Sequence, residues 1–160
     1  MKYTLYLALA TDDKRSVYAY TLANYEGEIT SGTFITAGKR GFDDVYCGHV
    51  ALQRALRKSA KEAGVIQLTV MLDHSLIDSI GFELANVNPS IYPSLCRTTQ
   101  RIMRRFDKCE LAAMGDEEDM QPYEVSVCDE ALDALDDCRT VKGRWALLKD
   151  TILGSKNIIR

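Results

Sequence analysis

Hydrophobic positions along the chain follow two periods. Residues 3–11 (YTLYLALAT) are apolar on both faces, the pattern of a strand covered on each side. Residues 16–25 (SVYAYTLANY) and 28–36 (EITSGTFIT) read as two further strands, with Glu26-Gly27 as the turn between them. Connections this short join neighbouring strands, which predicts an antiparallel three-stranded meander.

The pattern changes after a glycine-rich basic loop, AGKRGF, at 37–42. Asp43 or Asp44 is placed to cap a helix running to about Ala63 and stopped by Gly64. Leu52, Ala55, Leu56, Ser59 and Ala63 share one arc of it, and Arg54, Arg57, Lys58 and Lys61 the other. VIQLTVML, 65–72, predicts a fourth strand that ends at Asp73. DHSLIDSIGFELA, 73–85, reads as a short helix and NVNPSIYP, 86–93, as a loop. A longer helix is expected from about Ser94 to Met114, followed by an exposed acidic loop, GDEEDMQP, at 115–122. YEVSVCD, 123–129, alternates like a fifth strand. The remainder reads as one helix or as a pair broken at Gly143, with Trp145 as a core or packing anchor in it. Residues 154–160 form a short basic tail, a candidate for disorder.

The expected order is therefore β-β-β-α-β-α-α-β-α, an α/β mixed sheet with helices on both faces. A length of 160 residues, without internal repeat or linker, suits a single domain over 1–160. The net charge of −3 argues against global attraction to nucleic acid or anionic membrane, so such binding needs a local basic patch. No apolar run approaches the ~20 residues that span a bilayer. The five cysteines are odd in number and form no CxxC pair. With no leader pattern at the start, reduced thiols and a cytoplasmic location are expected.

This order of elements resembles the ribonuclease H-like fold over most of the chain. That family places acids on the first strand, on the first helix, at the end of the fourth strand and on the last helix. The resemblance implies two divalent ions, Mg or Mn, that activate water for phosphodiester hydrolysis. Thr11-Asp12 looks like the Thr-Asp of the family's first strand, and Asp73 like the acid that ends the fourth. Asp129 and Asp133 fall where the last-helix acid belongs, and Asp133, about one turn into that helix, is the choice. The first-helix position departs from the pattern, because His49 stands where a glutamate is expected. Imidazole suits Mn, Zn or Fe better than Mg. The implied catalytic acids are Asp12, Asp73 and Asp133, and the implied metal ligands are these with His49. Each has a plainer reading: Asp12 as a turn residue, Asp73 as a helix cap, His49 as a buried structural histidine, Asp133 as part of a solvated face.

The remaining signal is basic. Arg97, Arg101, Arg104, Arg105 and Lys108 fall within one arc at helical spacing. Such a stripe needs an anionic answer: the Asp116–Asp119 loop, a protein partner or the phosphates of a nucleic acid. Two functions stay open at this level. One is a divergent nuclease acting on nucleic acid with metal assistance. The other is a non-catalytic ribonuclease H-like module that binds a protein or nucleic acid.

Overall fold

A computed structural model describes residues 1–64, 66–80 and 92–160. The meander forms as expected, from β1 (Lys2–Thr11), β2 (Ser16–Asn24) and β3 (Gly27–Thr36). Then come α1 (Asp44–Ala63), β4 (Gln67–Leu72), α2 (His74–Ile80), α3 (Pro93–Met103), β5 (Lys108–Ala113), α4 (Pro122–Asp137), α5 (Val141–Leu153) and β6 (Ile158–Ile159). The six strands form one mixed sheet in the order β5-β4-β1-β2-β3-β6. β1 pairs antiparallel with β2 and parallel with β4, and β4 pairs parallel with β5.

Alternation along β1 and β2 divides the core between the two sheet faces. Leu5, Leu7, Tyr18, Tyr20 and Leu22 pack with Ala51, Leu52, Ala55 and Leu56 of α1 and Ile102 of α3. The next residues along, Ala8, Ala10, Val17 and Ala19, pack with Val127, Ala131 and Leu135 of α4. All of β2 but its last residue is buried, as expected of a strand covered on both faces.

The first nine elements keep the expected order, but three segments differ from the sequence reading. The helix expected over 94–114 stops at Met103, and 108–113 pairs with β4 as β5. KCELAA is made largely of good helix formers, and parallel pairing overrides that local preference. YEVSVCD is the first half of α4, not a strand. Pro122 at the first helical turn and a capping box between Gln121 and Glu124 start the helix despite the alternating pattern. The tail over 154–160 is ordered: Ile158 and Ile159 are buried and pair parallel with Ile35 and Thr36. Arg54 Nη1 holds this segment by donating to the carbonyls of Lys156 and Ile158, at 2.7 Å each.

The break in the C-terminal helical region falls at Thr140, whose hydroxyl caps α5 by accepting from Gly143 N–H. A Cβ on Gly143 would stand 1.8 Å from the Asp137 carbonyl oxygen, so this corner requires glycine. Trp145 is not a core anchor; it is 69% exposed, and α5 has no buried residue. Residues 81–85 of the expected short helix, and 86–91 of the loop after it, lie outside the described residues. No helix among the described residues is long and apolar enough to cross a membrane.

Candidate active site

Asp73 follows directly on β4, where parallel pairing with β1 sets its level. The last β1–β4 pair is Leu7 with Leu72, and the Asp73 N–H donates to the Leu7 carbonyl at 3.1 Å. The β1 residue beside Asp73 is therefore Ala8, a fully buried residue on the α4 side of the sheet. Both Asp73 oxygens are engaged by backbone. Oδ1 accepts from Ser75 N–H at 3.2 Å, and Oδ2 accepts from Leu9 N–H at 3.4 Å. Asp73 thus opens α2 as a cap and ties it to β1.

Asp12 lies four residues beyond the Ala8 level, about 13 Å at the rise of a strand. It sits past the end of β1, in the turn to β2. Oδ1 accepts from the N–H groups of Lys14 and Arg15, at 2.8 and 2.9 Å, and Oδ2 from Arg139 at 3.4 Å. The two backbone donors, with Arg139 adding to them, hold its carboxyl below the usual range. A carboxylate so engaged closes the β1–β2 hairpin and docks it on the α4–α5 corner.

His49 is fully buried on α1 and turned toward α3. Its Nδ1 lies 3.4 Å from Thr99 Oγ1 and its Nε2 lies 3.6 Å from Cys96 Sγ. One turn on, Gln53 Nε2 donates to the Leu95 carbonyl and to Thr99 Oγ1, at 3.1 Å each. Together these form a polar ladder that fixes the packing of α1 on α3.

On α4, Val127, Ala131 and Leu135 face the sheet, and the 3.6-residue period then puts Asp133 on the outer crest, where it is exposed. Cys128 of α4 lies near enough to Asp73 to feel its charge. Burial pushes its thiol up to about 11, and the Asp73 carboxylate contributes next. Asp129, adjoining it in sequence, is exposed.

Asp12, His49, Asp73 and Asp133 are thus not brought together: one closes a hairpin, one packs between helices, one caps α2 and one faces solvent. Among the described residues no group of three or more His, Cys, Asp or Glu side chains is arranged to hold a metal ion. Among the described residues, the neighbours that pairing and hydrogen bonding place beside Asp73 are Ala8 and Leu9, with the Cys128 thiol close by, and none of these side chains offers the oxygen ligands that a pair of Mg or Mn ions takes.

One acid that sequence reasoning treated only as a cap does more. Asp43 caps α1 through Tyr46 N–H at 3.0 Å and also accepts from the Tyr92 hydroxyl, which joins α1 to the start of α3. Beside it, burial pushes the Cys47 thiol up to about 12, with Asp43 adding to the rise. The Tyr18 hydroxyl is buried there with no hydrogen-bond partner among the described residues, and burial holds its phenol above the ordinary value.

The basic residues do not form one helical stripe. Arg97 and Arg101 share the outer face of α3, Arg104 and Arg105 lie in the turn after it, and Lys108 opens β5, paired with Glu110 at 3.0 Å. The four arginines are exposed and make no ion pair within 4.0 Å among the described residues. The acidic loop does not answer them; its Asp116 lies 3.8 Å from His74 instead.

No family model matches the chain, and no curated protein does. Solved structures do. The ribonuclease H1 of the halophilic archaeon Halobacterium salinarum is 18% identical, with a TM-score of 0.56 over 83% of this chain and 98% of its own. The N-terminal ribonuclease H domain of a Mycobacterium tuberculosis protein is 12% identical, with a TM-score of 0.60 over 87% and 99%. LC11-RNase H1, solved in complex with an RNA/DNA hybrid, is 12% identical, with a TM-score of 0.53 over 82% and 96%. At these identities the likeness establishes a shared fold.

Proposed function

From a ribonuclease H-like fold, we propose that this chain is a nucleic-acid-binding module that does not use the two-metal hydrolysis associated with the fold. The observation that carries the reading is the level of Asp73 on the sheet. The β1 residue beside it is Ala8, while Asp12 is committed to a turn and to Arg139. Two-metal chemistry requires several carboxylates converging on adjacent ions. Here the acids expected to converge are spread over a hairpin, a helix cap and a solvent-facing crest.

Nucleic acid is the favoured partner for two reasons. LC11-RNase H1, which shares the fold, was solved with an RNA/DNA hybrid. In addition, Arg97, Arg101, Arg104 and Arg105 form an exposed cationic surface at the end of α3, in a chain whose net charge is −3. Binding through phosphates would be salt-dependent, and each phosphate neutralised steepens that dependence.

The test is an RNA/DNA hybrid incubated with the full chain, with and without Mg or Mn. Retention that weakens with salt and with Arg101→Glu/Arg105→Glu, without cleavage, is expected. Metal-dependent cleavage abolished by Asp73→Asn would overturn the non-catalytic reading and restore the nuclease.

A further inference from the structure

A second cationic surface lies where α1 meets the C-terminal segment. Between them is a groove of about 780 Å³. Arg54, Arg57, Lys58 and Lys61 line it from α1, and Lys156 and Arg160 from the C-terminal segment. Tyr20, Phe34 and Ile158, nearly buried at 7%, 5% and 3% exposure, form the floor. The two rings stack with centroids 5.2 Å apart.

Charge sets this groove apart. Six of its 12 lining residues are Lys or Arg and none is Asp or Glu. The whole chain has 20 cations against 23 acids, so a random patch of this size would be near neutral. Only Lys58 has an acidic partner within 4.0 Å among the described residues, Glu62 at 3.0 Å. Gathering like charges without acids raises the energy of the folded chain, and an anionic ligand would relieve that cost.

The six cations divide by role. Arg54 is a positioning residue: it donates to the Lys156 and Ile158 carbonyls, and its guanidinium lies 5.9 Å from the Phe34 ring centroid. Arg160 is engaged by the Thr151 carbonyl. The Arg54 bonds hold the C-terminal wall against α1, and the Arg160 bond ties the tail back onto α5. Arg57 and Lys61 on one wall and Lys156 on the other are exposed and make no ion pair among the described residues.

We propose that this groove binds the phosphate backbone of a single nucleic-acid strand, with its bases toward the Tyr20–Phe34 floor. A cationic rim over an apolar floor matches a ligand that is anionic on one side and apolar on the other. A duplex turns its bases inward and offers only phosphates and sugars to such a floor. The inference rests on the nucleic-acid reading above for the class of ligand, but on a different surface from the arginines of α3.

The experiment measures binding of a labelled oligothymidylate to the full chain by fluorescence anisotropy over a salt series. It compares wild type with Arg57→Glu/Lys61→Glu and with Arg101→Glu/Arg105→Glu, each checked for wild-type thermal unfolding. The groove variant is expected to lose about tenfold or more in affinity and to lower the salt slope by roughly 1.4, for two single-strand phosphates no longer neutralised. In the wild type, bound oligonucleotide should protect Lys61 and Lys156 from acylation, a readout that needs no variant. Unchanged affinity in the groove variant, or unprotected lysines under saturation, overturns the groove. If the α3 variant alone then loses affinity, the nucleic-acid reading survives without it. Tripolyphosphate that protects the lysines while the oligonucleotide does not would overturn the strand assignment. No binding of oligonucleotide or hybrid to the wild type overturns both.

Discussion

The Asp73 carboxylate reaches back to the backbone of Leu9, with Oδ2 3.4 Å from that N–H, while Oδ1 accepts from Ser75 N–H at 3.2 Å. The acid that closes β4 is thus a clasp between β1 and α2. Removing it should cost stability before it affects any chemistry. Asp73→Ala is expected to lose about 1–2 kcal/mol, within the range of a lost helix cap, and Asp73→Asn less, because the amide oxygen still accepts. Urea unfolding of the two variants checks the order. Equal midpoints for wild type and Asp73→Ala would mean that the clasp contributes nothing.

Asp12 ties acid stability to the β1–β2 hairpin. Its folded-state carboxyl lies below the ordinary 3.8, first through the Lys14 and Arg15 N–H groups and then through Arg139. A depressed carboxyl contributes stability that is fully present above its unfolded value and disappears as the pH falls through the folded one. Asp12→Asn should therefore be less stable than wild type at neutral pH. The difference should close only below about pH 3.8, as the wild-type carboxylate takes up its proton. Unfolding midpoints across that window show the convergence, or its absence.

His49 stands between α1 and α3, and a glutamate there would bury a carboxylate between Thr99 and Cys96. His49→Glu is expected to destabilise by at least about 2 kcal/mol at neutral pH. Burial raises a carboxyl's folded value, so this loss should shrink as the pH falls, the opposite trend to Asp12→Asn. Gain of Mn affinity in calorimetry, with stability kept, would show instead that the position faces a metal site.

Trp145 is the only tryptophan and is 69% exposed on α5, beside the exposed Leu148 and Ile152. The native protein should show the red-shifted emission of a wet indole and near-complete quenching by acrylamide. Its emission should move little on unfolding. A blue-shifted, protected native signal would mean that this face of α5 is covered in solution.

Asp12, His49 and Asp73 each took the structural role that its immediate neighbours also allowed. The tight turn after Asp12, the helix following Asp73 and the apolar arc around His49 were all visible in the order of residues. The order could not show the distance between these side chains. The decisive quantity, the register of β1 against β4, depends on two segments about sixty residues apart that pair through backbone groups common to every residue.

By itself the sequence determined the three-stranded meander, α1 with an aspartate cap and Gly64 stop, and β4 ending at Asp73. These follow from short-range rules: period, capping and turn length. Tertiary structure alone decided that KCELAA would be a strand, because a partner strand, β4, satisfies its backbone. It also decided that the tail would close the sheet as β6, since Ile158 and Ile159 gain burial only once β3 and Arg54 are in place. The same docking brings Lys156 and Arg160 across from Arg57 and Lys61 and makes a groove from two segments that are ordinary apart. Local pattern records what one segment prefers; which surfaces meet depends on burial and pairing over the whole chain.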